Sequence, residues 1–242
     1  MANSFYIVPI FTAALLWLYI LSMMAPQIPK KNLNSEFTMK IPNNYQDVKK
    51  LADLFEAYYE NHYLYVITVF VSTYLVKQAF IIPGSAIMNI VGGALFGLYI
   101  GWPLCCCLTA LGSTTCFLLS DIFLKPIMES YFPNKIAYLR TEVEKNRNNL
   151  VFYLLSIRVF PITPNFLVNL LSPFVGIPLK TFFFTSLFGL MPYNFVCVQA
   201  GSLLSSLSSL DNIFGFDMVL KLSTMAVVLI LPSLFNYSYQ RV

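Results

Sequence analysis

Two apolar stretches that cannot each form one straight helix constrain this chain more than any other feature. Phe80 to Pro103 reads FIIPGSAIMNIVGGALFGLYIGWP, and Phe160 to Pro178 reads FPITPNFLVNLLSPFVGIP. Pro83, Gly84, Gly92 and Gly93 interrupt the first; Pro161, Pro164, Pro173 and Gly176 interrupt the second. Proline lacks a donor N–H and clashes with the preceding turn, while glycine tolerates a reversal of the chain. Each stretch therefore divides into arms of roughly 10–14 residues, shorter than the roughly 20 that a helix needs to cross a bilayer. Such arms are expected to form re-entrant hairpins near 80–103 and 150–178. Superposed, the stretches place Phe80 on Phe160, Gly84 on Pro164, Asn89 on Asn169, and Gly92-Gly93 on Ser172-Pro173. Paired, broken hydrophobic segments in two halves of a chain point to a site near the bilayer midplane, where the broken helices of an inverted repeat meet. Apolar segments rich in Pro and Gly can also look alike without being related.

The rest of the chain agrees with a bilayer as solvent. Of its 242 residues 57% are hydrophobic and 11% charged, and several apolar runs reach spanning length, so a soluble core cannot hold them. The fold class is an all-α integral membrane protein, a helical bundle carrying the two re-entrant hairpins. The formal charge of +4 sits in clusters between apolar runs. It reads as topology and not as nucleic-acid affinity, because no basic groove with interleaved aromatics accompanies it. Cys105, Cys106, Cys107, Cys116 and Cys197 lie inside apolar runs with no zinc-like spacing, so they read as small packing residues, and no metal or other cofactor is expected.

Three regions follow in order. Residues 1–39 hold a first span, Phe5 to Ala25, and a polar linker. Residues 40–204 hold the broken stretches. Within them Asn43 to Glu60 has the spacing of an amphipathic surface helix, with Asn44 placed to cap it, and Tyr63 to Phe80 reads as a second span whose Lys77 snorkels from its end. Leu104 to Leu124 is rich in small residues and should be buried among other helices, with Asp121 and Lys125 paired at its end. Ile136, Leu139 and Val143 mark one face of a short amphipathic helix that Asn134 is placed to cap, and Asn194 and Gln199 argue that the span before Leu204 faces protein or a hydrated groove. Residues 205–242 hold a Ser-rich turn, a last span from Met218 to Phe235 and a tail. Basic residues concentrate in the loop after the first span and between Lys125 and Asn149. With re-entrant hairpins, both basic loops are expected on one side, the cytoplasm.

Few side chains are placed to carry chemistry. Arg158 lies deep in an apolar run, where a buried guanidinium costs at least about 2.5–3.5 kcal/mol. It suits either a lipid phosphate or the carbonyls freed by Pro161 and Pro164. Asn89, Asn165 and Asn169 can line a polar groove or satisfy broken backbone. Neither broken stretch contains Asp, Glu or His, so catalysis and proton relay lack a carrier and no enzyme is expected.

FIIPGSAIMNIVGGALFG followed by RVFPITPNFLVNLLSPFVGIPLKTFF resembles the transmembrane protein 41 family, within the DedA or VTT-domain superfamily. Arg158, Pro161, Pro164-Asn165 and Asn169 carry the resemblance, which runs from about Lys40 to Leu204. It implies a multi-pass protein of the endoplasmic reticulum membrane with paired re-entrant helices. The function implied is a phospholipid scramblase that supports autophagosome formation and lipid mobilisation, with membrane phospholipids and ER autophagy or lipid-transfer proteins as partners. Bacterial DedA proteins commonly place a carboxylate just after the first Pro-Gly turn, where this chain reads Ser85-Ala86. The alternatives are a proton-coupled transporter of a lipid-linked anion and a non-transporting ER scaffold.

Overall fold

The computed structural model describes residues 6–26, 45–159 and 164–207. The Asn44 cap, Pro161, the Ser-rich turn beyond residue 207 and the last span lie outside the described residues. Those described form helices: α1 (Ile7–Met23), α2 (Tyr45–Ala79), α3 (Ser85–Leu119), α4 (Lys125–Tyr131), α5 (Pro133–Lys145), α6 (Leu150–Val159), α7 (Asn165–Leu171), α8 (Leu179–Gly189) and α9 (Met191–Leu207). One helical run, Ser85–Tyr131, is long and apolar enough to cross a membrane; α8 and the first part of α9, bent by 40° between them, pass the same test together.

Two of these helices contain sharp breaks. In α2 the backbone leaves helical geometry at His62 (φ −135°, ψ 39°), which separates the polar amphipathic segment before it from the apolar segment after it. In α3 the break is at Gly97 (φ 67°, ψ 179°). A straight helix would hold Gly92 and Gly101 about 13 Å apart. Instead a Cβ added at Gly101 would come within 2.7 Å of the Gly92 carbonyl oxygen. The chain therefore folds back on itself at Gly97. This corrects the expected break at Gly92-Gly93: both are helical and serve close approach, Gly92 facing the Cys105 sulfur and Gly93 the Val198 backbone.

Side-chain pairs fix the direction of each arm. Lys77 meets Ser85 and Tyr74 meets Asn89, so the first arm of α3 runs antiparallel to α2. Tyr74 also meets Thr109 and Gln78 meets Ser113, so the second arm runs parallel to α2. The hairpin is thus made by α2 after His62 and by α3 up to Gly97, with its tip at residues 80–84. Tyr63 to Phe80 forms one of its arms. At the tip Pro83 interrupts the chain, Gly84 takes φ 115° as the N-terminal boundary of α3, and Ile81 takes φ 59°. That conformation is uncommon for a β-branched residue and costs roughly 1–2 kcal/mol.

A second hairpin follows the same plan. Arg158 on α6 and Asn169 on α7 would lie about 16 Å apart along one helix, yet they hydrogen-bond at 3.2 Å. The chain therefore reverses between Val159 and Asn165. Pro164 bounds α7 as Gly84 bounds α3, and after Pro173 the left-handed Gly176 (φ 77°) redirects the chain toward α8 as Gly97 redirects it within α3. Leu150, Leu154 and Val175, at the open end of this hairpin, pack with Phe117 near the end of α3, whereas the first hairpin opens at the Gly97 end. The two hairpins converge from opposite ends of the second arm of α3.

Other elements enclose this pair. α9 crosses both arms of α3 so closely that a Cβ on Gly201 would stand 1.8 Å from the Ile90 carbonyl oxygen. α1 lies antiparallel against α2, through Phe11 on Phe80, Trp17 to Ser72 and the Tyr65 hydroxyl to the Leu21 carbonyl. α5 packs Ile136 and Val143 inward, and Leu139 joins them. Its first helical residue is Pro133, so no Asn134 side-chain cap forms. Asp121 and Lys125 pair at 3.3 Å.

The hairpins also set which segments stand apart. Tyr59, before the break in α2, packs on Phe96 at the Gly97 end of the second arm of α3, and α5 lies at the other end of that arm, where Val143 packs with Phe117. The arm between them belongs to the one described helical run long and apolar enough to cross a membrane. Glycosylation acceptors on spacers inserted in the 27–42 and 125–149 segments should therefore be modified one without the other, which a gel-shift assay after membrane insertion reads. Gly201→Ala should lower stability by about 1–3 kcal/mol through overpacking. Melting in detergent beside Leu64→Ala, at a 77% exposed position, measures it.

Candidate functional site

Polar groups inside the bundle gather where the two tips meet. The Tyr74 hydroxyl donates to Asn89 Oδ1 at 2.7 Å and lies 2.7 Å from Thr109 Oγ1. Asn89 Nδ2 donates to Asn194 Oδ1 at 2.8 Å, and Asn194 Nδ2 closes the ring onto Thr109 at 3.2 Å. This ring ties α2, both arms of α3 and α9 together. One helical turn beyond Thr109, Ser113 Oγ accepts from Gln78 Nε2 and from Asn169 Nδ2, both at 3.1 Å, and so joins the first hairpin to the second. Buried amides and hydroxyls this well paired specify one arrangement of helices, since leaving any of them unpaired in an apolar interior is costly.

Beside the network a cleft of about 400 Å³ opens between the tips. Ile81, Pro83 and Ser85 line it from the first tip, Pro164, Asn165 and Phe166 from the second, and Tyr193 and Asn194 from α9. Lys77 lines it as well, and none of its described lining residues is acidic. The Lys77 side chain is buried, with Nζ donating to Ser85 Oγ at 2.5 Å and lying 5.0 Å from the Tyr74 ring centroid. It does not snorkel from a helix end as its position in the sequence implies, because α3 turns back beside it and covers it.

The residues singled out from sequence divide between cleft and framework. Asn165 lines the cleft, and its side-chain oxygen is buried without a partner among the described residues. Asn169 reaches the cleft while bonding Ser113 and Arg158. Asn89 is fully buried in the ring. Arg158 stands back from the cleft: its Nη1 donates to Asn169, its guanidinium carbon lies 4.7 Å from the Phe182 ring centroid, and its stem packs under Gly189. Nε and Nη2 have no partner among the described residues. Tyr74, Gln78, Thr109 and Ser113 carry no motif of their own and are not among the sequence candidates, and Lys77 is read there only as a helix-end residue. Their helical spacing, Tyr74 to Gln78 and Thr109 to Ser113, was the available signal.

Broken helices meeting over a polar cleft, within an exterior of exposed Leu, Ile, Phe and Tyr, define a helical membrane protein whose interior site lies between two hairpins. The VTT domain sequence model matches residues 82–203, which hold most of that site. The chain is 31% identical to transmembrane protein 41B of Xenopus laevis over 95% of its length and 82% of the relative's. It is 30% identical to the Homo sapiens protein of that name over 95% and 78% respectively. The transmembrane protein 41 homolog of Dictyostelium discoideum is 34% identical over 82% of the chain, which spans 59% of that relative's length. The chain belongs to the transmembrane protein 41 family, among VTT-domain membrane proteins of the DedA type. No solved structure matches it.

Arg158 holds Asn169 in place, so removing either partner should weaken the fold. Asn169→Ala leaves the guanidinium with no hydrogen-bond partner among the described residues, and a loss of about 1.5–3 kcal/mol follows from removing a buried hydrogen bond to a charged group. Arg158→Lys and Arg158→Gln should both melt lower in detergent than the parent, since neither reproduces the planar fork stacked on Phe182.

Proposed function

We propose that this protein is a passive, non-enzymatic phospholipid scramblase of the endoplasmic reticulum membrane. In this reading each hairpin is a re-entrant loop of an inverted repeat, with the tips at the bilayer midplane and the chain crossing several times. A headgroup passes along the cleft while its acyl tails stay in lipid. The carrying observation is the cleft itself, which opens between the tips of two hairpins arriving from opposite ends and draws polar side chains from α2, α3, α7 and α9 beside them. Half-helices that stop inside a bilayer are tolerated where they line a cavity, and here α3 and α7 begin at such a cavity. The N-terminus of α3 beside the cleft also favours negative charge. The lack of acidic residues in its lining supports passive movement over proton coupling. Lipid moved in this way would supply growing autophagosomes and lipid mobilisation, with ER autophagy or lipid-transfer proteins as partners.

Purified protein reconstituted into liposomes with a leaflet-labelled phospholipid should accelerate exchange over empty liposomes without nucleotide and without a pH gradient. Exchange that stays at the empty-liposome rate would end the scramblase reading, and exchange that requires a pH gradient would replace it with coupled transport.

A further inference from the structure

Lys77 stands out because its charge has no described counterpart. The described ion pairs, Asp121 with Lys125, Glu129 with Arg140, Glu142 with Lys145 and Glu144 with Arg147, all lie between the end of α3 and the start of α6. Lys77 is 5% exposed and lies at the first tip, where one of its donors reaches the neutral Ser85 hydroxyl. A buried ammonium keeps three donors and a full charge, and a neutral hydroxyl and an aromatic face offset only part of its lost hydration. Across the cleft, Asn165 presents a buried side-chain oxygen with no described partner. An amide offers a donor to a phosphate oxygen and an acceptor to a headgroup hydroxyl. A cation without a described counter-charge and an amide oxygen without a described partner, facing the same space of about 400 Å³, describe a site for a ligand better than they describe packing. Arg158 does not compete for that ligand, being stacked on Phe182 and bonded to Asn169 outside the lining.

We propose that Lys77, with Ser85, takes the phosphate of a lipid headgroup while Asn165 Oδ1 accepts from a headgroup hydroxyl, and that this makes the cleft select phospholipids of net negative charge over zwitterionic ones. The inference rests on the lipid-moving reading of the same cleft. An anionic headgroup neutralises Lys77. A zwitterionic one brings a second ammonium beside it in a space of low dielectric, where like charges repel strongly.

The test uses full-length protein in two arms. In phosphatidylcholine vesicles, trace labelled phosphatidylglycerol should exchange faster than trace labelled phosphatidylcholine. Lys77→Met should cut that ratio by about fivefold or more, and Lys77→Arg should keep it. In detergent micelles, added phosphatidylglycerol should raise the melting temperature of the parent and not of Lys77→Met, while inorganic phosphate at equal concentration raises neither. Should Lys77→Met fail to fold, Lys77→Gln is neutral, polar and of similar length, and takes its place in both arms. An unchanged exchange ratio with unchanged lipid stabilisation overturns the proposal and leaves the scramblase reading intact. Equal stabilisation by inorganic phosphate overturns it in favour of a free-anion site. Lipid stabilisation that depends on Lys77 without any exchange supports the headgroup site and removes the scramblase reading.

Discussion

A helix that ends inside an apolar environment leaves several backbone N–H or C=O groups without partners, and in lipid no water can supply them. This protein has such ends at both hairpin tips, beside Gly84 and Pro164. Neither start has a side-chain cap, and the fold brings both to the lining of one cleft. Each tip is backed by the other and by the break between α8 and α9, and polar side chains collect in the shared space. The ring of Tyr74, Asn89, Asn194 and Thr109, together with the Ser113 bridge, locks the surrounding helices in the one arrangement that keeps those side chains paired. Glycine makes the lock geometrically accessible, since Gly93 and Gly201 let the backbones of α9 and the first arm of α3 lie against each other.

Much of this was legible in the chain because proline and glycine act locally. The tip at Pro83-Gly84, the restart at Pro164 and the redirecting Gly176 each follow from a backbone property that no neighbour can override. The equivalence of Asn89 and Asn169 was visible as spacing, and both are buried and bonded. The break at Gly97 was not legible in the same way, because Gly92, Gly93, Gly97 and Gly101 lie in one apolar run and sequence does not say which turns the chain and which admits a neighbour. Only packing separates them: Gly97 has nothing near its missing Cβ and takes a left-handed φ, whereas the other three are pressed against atoms of other segments.

The placement of charge was the least legible part. Arg158 drew attention because it lies far from either end of its apolar run, yet an aromatic face, an amide and a glycine surround it and keep it in the framework. Lys77 looked ordinary because it stands near the end of an apolar run, and its burial depends on the return of α3 some eight residues later. The position of α5 follows the same logic, because the return of the chain at Pro83-Gly84 is what sets Tyr59 and α5 at opposite ends of the second arm of α3.

Ser113 occupies a particular place in this arrangement. Its one hydroxyl accepts from Gln78 of the first hairpin and from Asn169 of the second. Interhelical hydrogen bonds in membrane proteins average only about 0.6 kcal/mol each, so releasing both costs about 1 kcal/mol. That is small beside the apolar packing that also joins the halves, where Phe117 of α3 meets Leu150, Leu154, Val175 and Phe182. Packing therefore supplies the strength of the join and Ser113 its register: like a dowel in a glued joint, one hydroxyl decides which residues of the two hairpins stand opposite each other.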